Sequence, residues 1–171
     1  DNTGNNDMAA IDFVYESGLN GASWANRVDK YLDGKGRVAA EIGFTAGYEM
    51  DVVATVYDQF GRVKTQSRPY RLNTSWGLVG TQEWTTYNYD IMNRVTSEVL
   101  ADGSTSYRYY NESSYPSAAT QSVPGNTLRV KDAWGRERWA RHDEQNRLVE
   151  VVEPNPGGDG TVASNGLLTT Y

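Results

Sequence analysis

The stretch Tyr57-Asp58-Gln59-Phe60-Gly61-Arg62 decides how this chain is read, because its core recurs. Asp-x-x-Gly/Asn-Arg runs from Asp33 to Arg37, Asp58 to Arg62, Asp90 to Arg94, Asp132 to Arg136 and Asp143 to Arg147. Five copies in 171 residues indicate one structural unit used repeatedly. Asp suits the first position of a type I turn, where its carboxylate accepts a nearby backbone N–H. Gly three residues on (Gly36, Gly61, Gly135) supplies the left-handed conformation of a bulge that closes a hairpin. Asn93 and Asn146 replace that Gly, and Asn tolerates the same conformation.

Reading each copy as a hairpin sets each Asp opposite its Arg, and the next residues outward become Leu32/Val38, Tyr57/Val63, Tyr89/Val95, Lys131/Glu137 and His142/Leu148. Three of these pairs are apolar or aromatic against a β-branched residue, and one is oppositely charged. Such pairs are the units that stabilise antiparallel strands. Period-two patterning then places Val53, Thr55, Tyr57 and Val63 on one face of the second hairpin, with Asp58, Arg62, Lys64 and Gln66 on the other. In the third, Tyr87, Tyr89, Val95 and Val99 oppose Asn88, Asp90, Arg94 and Thr96. Toward the end, Trp139, Val149 and Val151 fall on the Asp/Arg side.

Between these hairpins the chain reads as follows. Residues 1–10 are polar and expected to fray. Ile11 to Tyr15 is a short strand; Ser23 to Leu32 leads into the first motif, where Ala, Asn and Lys allow a helix but Trp24, Val28, Tyr31 and the hairpin that follows favour a strand. Arg68-Pro69-Tyr70 to Gly80 is a connection, since Pro69 ends central pairing. Asp102-Gly103 signals a separate two-residue hairpin turn. Ser113 to Asn126 and Pro154 to Gly160 are loops. Leu167 to Tyr171 is a strand without charge or proline, expected at a sheet edge and prone to weak self-association.

Composition bounds the rest. The chain is long enough for a real core, yet only 38% of it is hydrophobic, and it carries 12 Tyr and 5 Trp. Those residues suit pleated, half-wet surfaces. A net charge of −6 argues against nucleic acid or an anionic membrane as partner. Without cysteine there is no disulfide and no thiolate metal site. No apolar run reaches membrane-spanning length, and Asp1 in place of Met points to an excised segment.

These motifs resemble the Rhs, or YD-repeat, family. The resemblance rests on Tyr57-Asp58-Gln59-Phe60-Gly61-Arg62-Val63 and Tyr89-Asp90-Ile91-Met92-Asn93-Arg94-Val95, with divergent copies at Asp33, Asp132 and Asp143. It covers the chain from about Lys30 onward. It implies an all-β module over 1–171, an antiparallel sheet of successive hairpins that is part of a shell or spiral sheet in a larger secreted or surface protein. The implied partners are the rest of the parent chain and an enclosed cargo domain. Unequal spacing between the motif arginines departs from a regular spiral. No match to the self-cleaving core of some members is present, so no catalytic residue is carried over and no cofactor is expected.

Chemistry outside the motif is sparse. His142 is the only histidine, and it stands where the hairpin Tyr stands elsewhere. Asp132 and Asp143 would form a paired-carboxylate site only by giving up their arginines. Asp33-Gly34, Asp102-Gly103 and Asp159-Gly160 lack a full calcium loop and read as turns. The aromatics Trp24, Trp76, Trp84, Trp134 and Trp139 are read mainly as packing groups, with Trp134, at a turn tip, the one candidate for binding a surface glycan.

Overall fold

The computed structural model describes residues 10–14, 28–44, 49–119, 126–163 and 166–171. The expectation for the amino-terminal residues falls, Ala10 aside, outside these, as does Trp24. The described residues form strands and turns with no helix. The expected all-β architecture of successive antiparallel hairpins is therefore what the chain adopts. Its strands are β1 (Ala10–Val14), β2 (Val28–Leu32), β3 (Val38–Phe44), β4 (Met50–Tyr57), β5 (Val63–Ser67), β6 (Tyr70–Leu72), β7 (Leu78–Val79) and β8 (Trp84–Tyr89). There follow β9 (Val95–Val99), β10 (Thr105–Tyr110), β11 (Asn126–Lys131), β12 (Glu137–His142), β13 (Leu148–Glu153) and β14 (Leu167–Thr170). They fall into two compact units, 1–86 and 87–171.

In the first unit β1, β2, β3 and β4 pair in sequence order. The free edge of β4 then takes two partners: β5 against Thr55–Tyr57 and β6 against Met50–Val52. β6 thus continues β5 past an irregularity at Arg68-Pro69. Between the two stretches the Ala54 N–H donates to the buried Ser67 Oγ at 2.8 Å, so a hydroxyl stands in for the missing strand carbonyl. β7 pairs with β6, and the first half of β8 pairs with β5. The segment expected as a plain connection is therefore a hairpin. Its turn at Asn73 escapes the motif because Asn replaces Asp, Trp76 replaces Gly and Gly77 replaces Arg. The core is Ile42, Met50 and Val52, covered by Tyr31, Ala40, Phe44, Tyr70 and Leu72.

In the second unit β9 to β14 pair in sequence order. Its core is Trp139, Val152 and Val162, with Tyr115, Ala118, Ala119 and Leu168 packed around it. Tyr115 meets Trp139 edge-on at 5.9 Å, and the Ser117 N–H donates to the Ala163 carbonyl, so two loops close over one sheet face.

The strand registers set Leu32 opposite Val38, Tyr57 opposite Val63, Lys131 opposite Glu137 and His142 opposite Leu148. Beyond that first pair the faces differ from simple alternation. A bulge follows the arginine in three hairpins, so that Ala39, Lys64 and Val149 have no opposite residue on the other strand of their own hairpin. An extra residue flips every later side chain. Gln66 therefore shares the face of Thr55 and donates to its hydroxyl at 3.4 Å. Trp139 lies opposite Val152, and Val151 opposite Ala140, so Trp139 and Val151 are on different faces. Asn88 meets Ser97 rather than Thr96. The Asp102-Gly103 signal also has another form: Leu100 N–H bonds the Ser104 carbonyl and Gly103 N–H the Leu100 carbonyl, which is the same three-residue turn as the motif.

Candidate functional site

The feature this fold builds most often is the Asp–Arg turn. In all five copies the Asp N–H bonds the Arg carbonyl, and the fourth residue's N–H bonds the Asp carbonyl. That fourth residue is left-handed each time: Gly36, Gly61, Asn93, Gly135 and Asn146 have φ between 62° and 85°. The carboxylate oxygens divide the work in one way throughout. Oδ1 accepts two backbone N–H groups, from the third residue of the turn and from the Arg, at 2.9–3.0 Å. Oδ2 accepts the Arg Nε–H at 2.7–2.8 Å. An Asn in place of Asp keeps only the first half: Asn73 Oδ1 accepts the Ser75 and Gly77 amides.

This donor set favours the charged carboxylate. The Arg37 guanidinium, then the Arg37 amide, hold Asp33 down to about 2. The Arg94 and Arg147 amides lead the same lowering at Asp90 and Asp143. At Asp58 and Asp132 partial desolvation pushes upward but is outweighed by the arginine's amide and guanidinium.

A second layer ties one hairpin to the next strand. The Arg37 guanidinium lies over the Tyr57 ring, 4.1 Å from its centroid, and the Tyr57 hydroxyl donates to the Val38 carbonyl at 3.0 Å. Arg94 and Tyr110 repeat this at 4.2 Å, with the Tyr110 hydroxyl donating to the Val95 carbonyl at 3.0 Å. The tyrosine thus clasps the arginine turn of the preceding strand. Arg37 Nη1 is the one buried side-chain nitrogen or oxygen among the described residues lacking a hydrogen-bond partner, and the ring face is its compensation. Arg136 instead lies over Trp134 of its own turn, at 5.1 Å. Arg147 is three-quarters exposed.

Sequence reasoning missed a further arginine. Arg129 holds Glu112 with Nε and Nη2, both at 2.8 Å, bonds Glu137 at 2.5 Å, and covers the Tyr109 ring at 4.0 Å. These two carboxylates push its pKa upward. Glu137 also accepts the Val162 N–H at 3.3 Å. Arg129 therefore locks both loops onto the sheet beside Trp139. The only local signal was an arginine flanked in sequence by β-branched and apolar residues.

The remaining candidates are scattered. His142 lies half-buried on β12 beside the bulge. The Asp132 and Asp143 turns stand at opposite ends of β12, whose six residues span roughly 20 Å, well beyond the separation of a glycosidase pair. Trp134 is 81% exposed at its turn tip, and Phe60 and Trp76 are exposed at theirs. Open grooves of about 400 and 350 Å³ occur beside Tyr107–Tyr110 and beneath the two loops. Of the charged groups that line them, Arg108 pairs with Glu98 at 3.8 Å and the others are held by the pairs above. No metal-binding cluster of His, Cys, Asp or Glu occurs among the described residues. Compared with protein-family models and with curated proteins, the sequence matches none.

Proposed function

We propose that this chain is a structural module of Rhs or YD-repeat type, whose work in a larger surface or secreted protein is to build the wall of a shell or scaffold. The observation that supports this reading is where the repeated polar residues are used. Each motif carboxylate is committed to its own turn, and Arg37 and Arg94 are committed to a tyrosine of the next strand. A motif that joined chain to ligand would leave some of these groups pointing outward. The module's partners in this reading are the rest of its own chain and a cargo that the wall surrounds.

A second reading, a glycan- or protein-binding adhesin module, draws on the exposed aromatics Phe60, Trp76 and Trp134 at turn tips. A glycan array combined with thermal melts separates the two. The scaffold reading expects no saturable glycan binding, and a lowered melting temperature when Arg37 or Arg94 is replaced. Saturable binding that disappears in Trp134→Ala at unchanged melting temperature would establish the adhesin reading instead.

A further inference from the structure

Two stretches of the chain fit Asn-x-Ser/Thr, the acceptor pattern for an amide-linked sugar: Asn73-Thr74-Ser75 and Asn111-Glu112-Ser113. The first forms the turn between β6 and β7, where Asn, Trp and Gly replace the Asp, Gly and Arg of the motif. Asn73 Oδ1 accepts the Ser75 and Gly77 amides, both at 2.9 Å. Only the oxygen of an amide side chain can accept, so these two bonds fix its orientation. Nδ2 then stands where Oδ2 stands in the motif turns, with no arginine to meet it and no hydrogen-bond partner among the described residues. A Cβ on Gly77 would stand only 3.0 Å from that nitrogen, so glycine keeps the space beside Nδ2 clear. Asn73 is exposed. Replacing one Nδ2 hydrogen by a sugar leaves Oδ1, and with it the turn, intact.

Beside this amide lies an unexplained side chain. The Trp76 N–H donates to the Asn73 carbonyl at 2.9 Å, which holds the two residues within one turn, their Cα atoms under roughly 7 Å apart. Trp76 keeps a φ of 63° while 55% of it is exposed, and Leu78 and Val79 on β7 are exposed as well. Backbone strain carried by an exposed aromatic points to a role outside the fold's own packing. An indole face is suited to cover the apolar face of a hexose ring. Asn111 offers no such neighbour. Its N–H and Oδ1 are both bonded to Thr127, Glu112 is held by Arg129, and Tyr115 is packed against Trp139.

We propose that Asn73 is the acceptor of an N-linked glycan whose first sugar covers Trp76. This rests on the secreted or surface reading above, because the transferase and its donor act on chains leaving the cytosol. In the transfer, Nδ2 attacks the anomeric carbon of an N-acetylhexosamine carried as a lipid pyrophosphate. The C–N bond forms as the anomeric C–O bond breaks, one Nδ2 proton passes to a base of the transferase, and the pyrophosphate leaves on its carrier.

The test compares the 171-residue chain secreted behind a leader from glycosylating eukaryotic cells with the same chain made in a bacterial cytosol. Amidase release of the glycan in heavy-oxygen water, followed by peptide mass mapping, reads each asparagine separately. Label is expected at Asn73 in most molecules, whether or not Asn111 is also labelled. Hydroxyl-radical footprinting should show Trp76 oxidised several-fold more slowly in the glycosylated chain, at a melting temperature no lower than that of the bare one. Ser75→Ala keeps the amide that serves the turn and removes the hydroxyl that the transferase reads. It should abolish the label at Asn73, restore Trp76 oxidation and melt like the bare wild type. A folded, secreted chain without label at Asn73 would overturn the proposal alone, as would a labelled chain whose Trp76 is oxidised at the bare rate. A native chain found retained in the cytosol would overturn the secreted reading, and the glycan with it.

Discussion

Arg37 and Tyr57 belong to different hairpins, yet the guanidinium lies over the ring and the hydroxyl reaches the carbonyl of the residue after the arginine. The tyrosine before Asp58 therefore serves the turn that precedes it. The Asp58 motif therefore faces two ways: its Asp and Arg close one hairpin, and its Tyr fastens that hairpin to the one before. Arg94 and Tyr110 show the same relationship where Asn rather than Asp follows the tyrosine.

The turns make the fold acid-sensitive with a definite sign. Asp33 lies at about 2 in the folded chain against an ordinary 3.8. A lowered carboxylate stabilises the fold fully above the ordinary value, and that contribution is lost as pH falls through the folded one. Melting temperature should therefore drop as pH falls from about 3.8 to about 2. Asp33→Asn should melt lower near neutrality and show a shallower decline in that window. A carboxyl-carbon NMR titration of Asp33 with a midpoint near 3.8 would remove the basis for this.

Gly61 and Gly103 both occupy the left-handed slot, at φ 85° and 83°, but their surroundings differ. A Cβ on Gly61 would stand 3.3 Å from Arg37 Nη1, while one on Gly103 meets nothing within 4 Å. Asn accepts the backbone conformation at either site. Gly103→Asn should thus shift stability by no more than about 0.5 kcal/mol, and Gly61→Asn should cost clearly more by crowding the guanidinium off its ring. Urea unfolding of the two variants makes the comparison, and equal shifts would mean that Arg37 yields at no cost.

What the sequence made legible was whatever a side chain encodes locally. Asp at the first position, Gly or Asn at the fourth and Arg at the fifth mark the turn because each is required by a bond or a φ angle there. The turns at Asn73 and Leu100 were harder to see, because backbone hydrogen bonds define them and these side chains supply only part of the pattern. Faces were misjudged at Gln66 and Val151 because a bulge inserts one residue without any composition signal. The Arg–Tyr clasp had no fixed spacing to find. Its hydroxyl and carbonyl partners are 19 residues apart in one case and 15 in the other, set by unrelated loops.

Trp76 holds a φ of 63° where the other turns use Gly or Asn. A left-handed conformation costs an ordinary L-residue about 1–2 kcal/mol, and Trp76 is more than half exposed, so packing returns little. Trp76→Asn should raise stability by about 1 kcal/mol. A lower melting temperature in this variant would show that the indole carries packing that offsets its backbone strain.

The most direct test of the claim that the motif couples successive hairpins is a double-mutant cycle on Arg37 and Tyr57, using Arg37→Met, Tyr57→Leu and the pair, with stability read from denaturant unfolding. Loss of the hydroxyl bond alone is worth about 1 kcal/mol, and the stacked cation adds about 0.5–2 kcal/mol that only the intact pair can realise. The predicted result is a coupling energy of at least about 0.5 kcal/mol, with the double variant less destabilised than the sum of the singles. Effects that add to within about 0.3 kcal/mol would contradict the account, since each residue would then act within its own hairpin alone.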